Sequence, residues 1–285
     1  MSVPAISVVI VNYNAGADLR LALESLRETL AGRPWEAVVV DNASTDGSAA
    51  VVREFAPGVR LISNETNVGF ARAMNQGLAA TSAAHVLLMN PDCRLAPGAV
   101  DTLASELNRF DSCAIAGPRI VNPDGSIQGS ARGDPDMLTG LFGRSALVRR
   151  LFPRLSISRR NVVDVHGAAD SVEVDWVSGA CMLARRGALT QVGGFDERYF
   201  LYWEDADLCR RLRGRGYHIR YVPRASAIHR VGQSSRTARF PAIRAFHESA
   251  YLYYATHVAP RSAIKRALAR LILAARAWWQ LRLTP

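Results

Sequence analysis

The chain has 285 residues, 49% of them apolar, enough to bury a full core as one large domain or two ordinary ones. Its formal charge of +10 comes from 34 arginines and one lysine against 25 acids, an excess that points to an anionic partner without choosing among nucleic acid, anionic lipid and a phosphorylated substrate. Four widely spaced cysteines, Cys93, Cys113, Cys181 and Cys209, form no CxxC pair, which excludes a zinc-ribbon or disulfide scaffold and fits a reducing cytoplasm.

The first stretch, "MSVPAISVVIVNYN", has no basic segment ahead of an apolar run too short for a signal peptide or a span, so it is expected to be a first strand. From there to residue 121, short β-branched runs alternate with helical patterns. Strands are expected over 6–12, 35–41, 59–63, 85–90 and 113–120, with helices near 17–30, 46–55, 68–80 and 97–108. Near-continuous apolar strands joined by helices predict an α/β fold with a parallel sheet covered on both faces. Residues 122–172, with "NPDGS", "RGDPD" and "RRLFPRLSISRR", break the rhythm and are expected to form a variable, partly mobile insertion with little chemistry. Periodicity returns over 172–189, followed by an acidic segment, a strand at 218–222 and a polar loop to about 238. The tail from 241 reads as helical with a break near Pro260, dividing the chain into a domain over 1–238 and C-terminal basic amphipathic helices over 239–285.

In an open α/β sheet, ligands bind outside the carboxyl ends of the strands. The polar residues there are Asn12, Asp41 and Asn90 to Asp92, each of which also suits a turn. The turn after the first strand, "NYNAGAD", has a single glycine, so GxGxxG fails, and no GKS or GKT provides a P-loop. What remains is a nucleotide site built on strand-end carboxylates. Further on, "YFLYWEDADLCRRLRGRGY" sets Glu204, Asp205 and Asp207 against aromatics. A solvated acidic first turn would explain them, and so would a catalytic carboxylate held beside an apolar wall.

The motifs "VVIVNYN", "VVVDNASTDGS", "NVGFARAMNQGL", "LLMNPDC", "VSGACMLARRGAL", "VGGFDERYFLYWEDADLCRRLRGRGY" and "VPRASAIHRVGQSS" occur in this order. Over residues 4–235 the chain resembles glycosyltransferase family 2, the GT-A fold, and within it the rhamnosyltransferase-like branch. The resemblance implies a Rossmann-like, mostly parallel sheet flanked by helices. It also implies inverting, metal-dependent transfer of a sugar, L-rhamnose from dTDP-rhamnose, onto a cell-envelope glycan or polyprenyl-linked acceptor. A UDP-hexose donor is the alternative. A non-catalytic nucleotide- or RNA-binding module is a remote one, opposed by an acidic site and the lack of an aromatic-interleaved basic strand, so no nucleic-acid partner is expected.

By that resemblance Asp41 would bond the pyrimidine, with Asn12 and Asn14 lining the pocket. A carboxylate accepts from the N3–H of uracil or thymine, a donor that cytosine lacks. Asn67 and Gly69 would open a helix toward the donor with Arg72 available to a phosphate, although Arg72 also reads as a solvated helix residue. Asn90 replaces the first acid of the family's DxD, leaving Asp92, with His229, to hold Mg²⁺ or Mn²⁺. Asp205 would be the base, Glu204 its orienting partner, and Trp203 a stacking surface for the acceptor, with Tyr199, Phe200 and Tyr202 packed beneath. Asp46 and Asp207 read as turn or helix-start residues.

No acid follows Glu248, whereas Arg261, Lys265, Arg266, Arg270, Arg276 and Arg282 do. Ile264, Leu268, Leu271, Ala275 and Trp278 share a helical face across from most of these cations. Residues 261–283 are therefore expected at a membrane surface, on the inner face of the plasma membrane, too charged and too short in their apolar run to span it. A terminal helix packed on the domain or on a homodimer partner is the competing expectation.

Overall fold

The computed structural model describes residues 5–134, 170–230 and 239–282. Strands β1 (Ile6–Asn12), β2 (Trp35–Asp41), β3 (Val59–Ser63) and β4 (His85–Met89) follow the expected runs, all parallel in the order β3-β2-β1-β4. Helices α1 (Asp18–Thr29), α2 (Phe70–Ala79) and α3 (Ala99–Arg109) and a 3₁₀ helix (Ser48–Phe55) supply the crossovers. Strand alternation sorts the core into two layers. Val8 and Ile10 face α1 and α3 with Leu19, Leu23 and Leu103, while Val9 and Val11 face α2 with Ala71 and Met74. The second layer is tight: a Cβ on Gly77 of α2 would stand 2.2 Å from Val9 Cγ1, so only glycine lets the helix sit that close to β1.

The remaining strands are β5 (Cys93–Leu95), β6 (Cys113–Val121), β7 (Ala131–Arg132), β8 (Val172–Val174), β9 (Trp176–Val177), β10 (Cys181–Arg185) and β11 (His218–His229). The nine-stranded sheet continues β4-β10-β6-β11-β5, with β8 also on β11. The short β5 and β8 run antiparallel to β11, and the long strands form the mostly parallel sheet expected, interrupted by β10, which is antiparallel to both β4 and β6 and fills the gap between them. Its buried run fits a central strand, but strand direction depends on where the chain re-enters the sheet, which apolar pattern does not encode.

β11 is also longer than the 218–222 expected. Its pairing with β6 slips between Val222 and Ser226, around Pro223, and the strand resumes to pair antiparallel with β5, setting His229 opposite Cys93. A bulge of this kind re-aims the side chains beyond it. Of the segment expected to be an insertion, residues 122–134 turn back on the sheet, Ile127 bridging Val121 and β7 pairing with β9; residues 135–169 lie outside the described residues.

Helices α4 (Arg186–Gln191) and α5 (Glu204–Arg213) complete the main body. Then come α6 (Arg239–Tyr253), a π-helical turn (Tyr254–Val258), a break over 259–262 and α7 (Ala263–Arg282). The C-terminal helices are tied to α5 and to the loop before it: His257 Nε2 lies 2.6 Å from the buried Asp207 carboxylate, and the Ser249 hydroxyl donates to the Leu201 carbonyl at 2.9 Å. All four cysteines are buried and free, and burial pushes the Cys113, Cys181 and Cys209 thiols up to about 12.

Candidate functional site

Asn12 and Asp41 end neighbouring parallel strands in register, so both side chains emerge at the same edge. The Asn12 amide donates to Asp41 Oδ1 at 2.7 Å and to the Ser48 and Ser44 hydroxyls at 2.8 and 3.1 Å. Asp41 Oδ1 also accepts from the Ser44 hydroxyl at 2.6 Å, and Oδ2 accepts from the Ser44 N–H at 3.0 Å. A carboxylate has about four acceptor sites, so these three bonds leave one on Oδ2 for a ligand donor. Asn12 Oδ1 is buried with no hydrogen-bond partner, a second acceptor left over at the same place. Asn14 ties the two loops together, its N–H donating to Ser44 Oγ at 2.9 Å and its Oδ1 accepting from Thr45 N–H at 2.8 Å. Asp46 has the turn role expected of it. Burial opposes its charge, but bonds from the Ser48 hydroxyl and N–H and from the Gly16 N–H outweigh that and hold its carboxyl below the usual range.

The start of α2 is arranged differently from the expectation. Gly69 has φ +90° and ψ 163°, its N–H bonds Asn67 Oδ1 at 3.0 Å, and the Phe70 N–H donates to the Phe200 carbonyl at 2.7 Å. A Cβ on Gly69 would lie 2.8 Å from Phe200 Cδ2 and 2.9 Å from its carbonyl oxygen. The close approach that requires glycine is therefore that of the Phe200 backbone, and these two helix-start N–H groups already have partners. Arg72 is 61% exposed and faces Glu197 at 3.8 Å, the placement of a solvated helix residue.

The Phe200 contact joins the start of α2 to the loop that carries the acids. Tyr202 and Trp203 both adopt left-handed φ, +69° and +71°, immediately before Glu204 opens α5. With Asn14 and Ala43 they are the described non-glycine residues at positive φ, and all four lie in loops of this edge, where such strain is characteristic of functional loops. Glu204 is 6% exposed. Asp205 is half-buried, and its Oδ2 accepts the Gly179 N–H at 2.9 Å. The aromatic roles differ from those expected. Trp203 packs on Phe246 and Tyr253 and joins an apolar cluster with Ala250 and Leu273, so it belongs to the wall, whereas Phe200 is 45% exposed. Tyr199 is fully buried as expected.

One residue beyond Gly179, the Ala180 carbonyl accepts the Asn90 N–H at 2.9 Å, so a single turn links Asp205 to the "NPD" stretch. Asp92 and His229, 137 positions apart, meet through the β5–β11 pairing: Oδ1 and Nε2 are 3.2 Å apart, each side chain 12% exposed. Asn90 Nδ2 lies 3.4 Å from the same Nε2. Two ligands at about 2.1 Å on adjacent corners of an octahedral ion stand roughly 3 Å apart, so this pair fits two positions of a divalent metal. Among the described residues no group of three His, Cys, Asp or Glu converges, which leaves the other positions to substrate oxygens and water.

Gln128, in the segment expected to hold little chemistry, buttresses this arrangement. Its Nε2 donates to Asn122 Oδ1 at 2.7 Å and to the His229 carbonyl at 2.8 Å, which fixes its Oε1 as the atom 3.0 Å from His229 Nδ1. Nδ1 therefore donates to Gln128 Oε1, which leaves Nε2 as the ring nitrogen that faces Asp92. Arg230 and Asp18 were also missed. The Arg230 N–H bonds the Asp92 carbonyl at 3.0 Å, and its guanidinium meets the buried Asp18 at 3.1 Å. The spacing of "AIHR" carried the only hint of Arg230, and nothing local marked Gln128.

Residues 7–163 match the family model for Glycosyl transferase family 2. The chain is 36% identical over 264 residues to N-acetylglucosaminyl-diphospho-decaprenol L-rhamnosyltransferase of Mycobacterium tuberculosis, covering 87% of this chain and 83% of that protein. It is 38% identical over 101 residues to rhamnosyltransferase WbbL of Escherichia coli K12, covering 35% and 38% of the two chains. Among solved structures it is similar to GalNAc-T7 with UDP, GalNAc and Mn²⁺, at a TM-score of 0.60 and 15% identity over 96% of this chain and 54% of that one. It is similar also to the mannosyltransferase PcManGT of Pyrobaculum calidifontis with GDP-Man and Mn²⁺, at a TM-score of 0.54 and 17% identity over 100% and 77%. At such identities the structural likeness speaks for the fold. The family match over more than half the chain, together with a relative aligned along most of both lengths, establishes that this protein is a glycosyltransferase of family 2 with the GT-A fold.

Proposed function

We propose that the enzyme transfers L-rhamnose from dTDP-rhamnose, with inversion, to a sugar carried on a polyprenyl diphosphate, a glycan precursor of the cell envelope. The relative in Mycobacterium tuberculosis, named for that sugar and a decaprenol-linked acceptor, supports the choice of both substrates. What carries the chemical reading is the Asp92–His229 pair at 3.2 Å, joined to Asp205 through the hydrogen bonds of the 179–180 turn.

In this reading Asp41 Oδ2 accepts the N3–H of the pyrimidine and Asn12 Oδ1 takes a further donor of the nucleoside. Asp92 and His229 would hold Mg²⁺ or Mn²⁺, which when bound would supply Lewis-acid stabilisation of the charge that grows on the departing diphosphate. Asp205 takes the proton of the acceptor hydroxyl as that oxygen bonds the anomeric carbon from the face opposite the leaving group. The bond from that carbon to the diphosphate breaks, and dTDP leaves with the electron pair. The Gly179 N–H bond keeps the carboxylate aimed, and Phe200, the exposed aromatic of this loop, offers a face to a sugar ring.

The test is a panel of dTDP- and UDP-sugars with a polyprenyl-linked acceptor sugar, reading nucleoside diphosphate release with Mg²⁺, Mn²⁺ or chelator. dTDP-rhamnose is expected to turn over with metal, and Asp205→Asn to lower kcat by about 10² to 10⁴ while donor affinity survives. Turnover by the Asn variant at the wild-type rate would remove Asp205 from the base role, and exclusive use of a UDP-hexose would replace the donor.

A further inference from the structure

Helix α7 packs against the protein with its less apolar side. Ala269 and Leu273 are buried, Leu273 in a cluster with Ala250, Tyr251, Ile272 and Trp203. The larger apolar residues point away: Ile264 is 84% exposed, Leu268 51%, Leu271 69%, Trp278 54% and Trp279 56%. At 100° per residue these five, with the exposed Ala275, occupy an arc of about 100°, roughly opposite Ala269 and Leu273. The stripe runs about 22 Å from Ile264 to Trp279 at 1.5 Å per residue. Exposed Lys265 and Arg270 flank it on either side, and the Arg282 guanidinium lies 4.1 Å from the centre of the Trp278 ring.

We infer that this outer stripe of α7 is an interfacial anchor that lies flat in the surface of an anionic bilayer, its apolar side chains below the headgroups and its flanking cations among the phosphates. No helix among the described residues is long and apolar enough to cross a membrane, so the helix lies on the bilayer. Charge selects lipid over a second copy of the chain. Six cations and no acid follow Glu248, and a two-fold contact between identical stripes would bring those cations against one another. The inner face of the same helix shares an apolar cluster with Trp203, the residue directly before Glu204, so docking would hold the acid pair close to the bilayer. The usefulness of that placement rests on the lipid-linked acceptor proposed above; the surface itself does not.

The test is flotation of the full chain with vesicles of phosphatidylcholine alone or mixed with phosphatidylglycerol, alongside donor hydrolysis in lipid-free solution. Wild type is expected to float with the anionic vesicles and far less with the neutral ones. Leu271→Glu/Trp278→Glu is expected to bind at least tenfold more weakly, with unchanged circular dichroism and donor hydrolysis. Lys265→Glu/Arg270→Glu, whose apolar stripe is intact, keeps the proposal testable if the first variant misfolds, and is expected to lose the preference for anionic lipid. Failure of wild type to float, equal flotation of all three proteins, or a dimer that depends on Leu271 and Trp278 would each overturn the inference. Donor hydrolysis without flotation would overturn the anchor alone, and flotation without turnover of any donor would overturn the functional reading alone.

Discussion

Replacing Gln128 by leucine removes three hydrogen bonds at once: the 3.0 Å contact to His229 Nδ1, the 2.8 Å bond to the His229 carbonyl and the 2.7 Å bond to Asn122. With no acceptor opposite Nδ1, the imidazole proton is no longer held there and can reside on Nε2, the atom 3.2 Å from Asp92 that would bind metal. Partners of this kind are typically worth 10- to 100-fold in metal affinity, about 1.4 to 2.7 kcal/mol. The fold should lose about 1 to 3 kcal/mol, since three bonds of roughly 1 kcal/mol each are offset in part by water reaching a half-exposed site. The assay is Mn²⁺ titration by electron paramagnetic resonance, with dTDP present, on wild type, Gln128→Leu and Gln128→Glu. The Glu variant loses both donations, to Asn122 and to the His229 carbonyl, but keeps an acceptor for Nδ1, so its affinity should fall less. Wild-type Mn²⁺ affinity in a folded Leu variant would refute the argument, as would a fall in kcat with metal affinity unchanged.

Gly69→Ala should destabilise the fold by more than about 2 kcal/mol in urea unfolding, because its φ of +90° with ψ 163° is essentially glycine-only and its Cβ would meet the Phe200 backbone at 2.9 Å. Gly98→Ala, at φ +72° with open space around it, is the control and should cost about 1 kcal/mol; equal losses would show that the Phe200 contact is not tight. His247 is buried in α6, and burial, with Arg276 nearby, depresses its pKa against the opposing bond to the Ile243 carbonyl. The unfolded chain then binds the proton first, so stability is lost as pH falls below the ordinary histidine value of about 6.5 and on toward the lower folded value. His247→Phe should flatten the decline in melting temperature between about pH 7 and pH 5, and parallel curves would argue against it.

The sequence by itself determined the frame. Each of β1, β2 and β4 carries a run that is apolar on both faces, and such runs bounded by helical periodicity have few alternatives to a covered parallel sheet. It also exposed Asn12, Asp41 and Asp92, because strand-end polarity is local, and the ordered motifs named the family. Other features depended on contacts between distant segments. The antiparallel β10 and the bulge in β11 decided that His229 meets Asp92, and the turn over 122–128 decided that Gln128 holds His229 in place. Packing adds what residue type leaves open at Trp203 and Gly69 for the same reason. An aromatic beside an acid pair suggests a sugar platform until Phe246, Tyr253 and Leu273 are packed on it, and a glycine at a helix start suggests a phosphate until the Phe200 carbonyl takes the next N–H. Periodicity and turn chemistry act over a few residues and are legible in one dimension, whereas strand order, the partner of a buried polar atom and the outward face of a terminal helix are set by long-range packing and exist only in three.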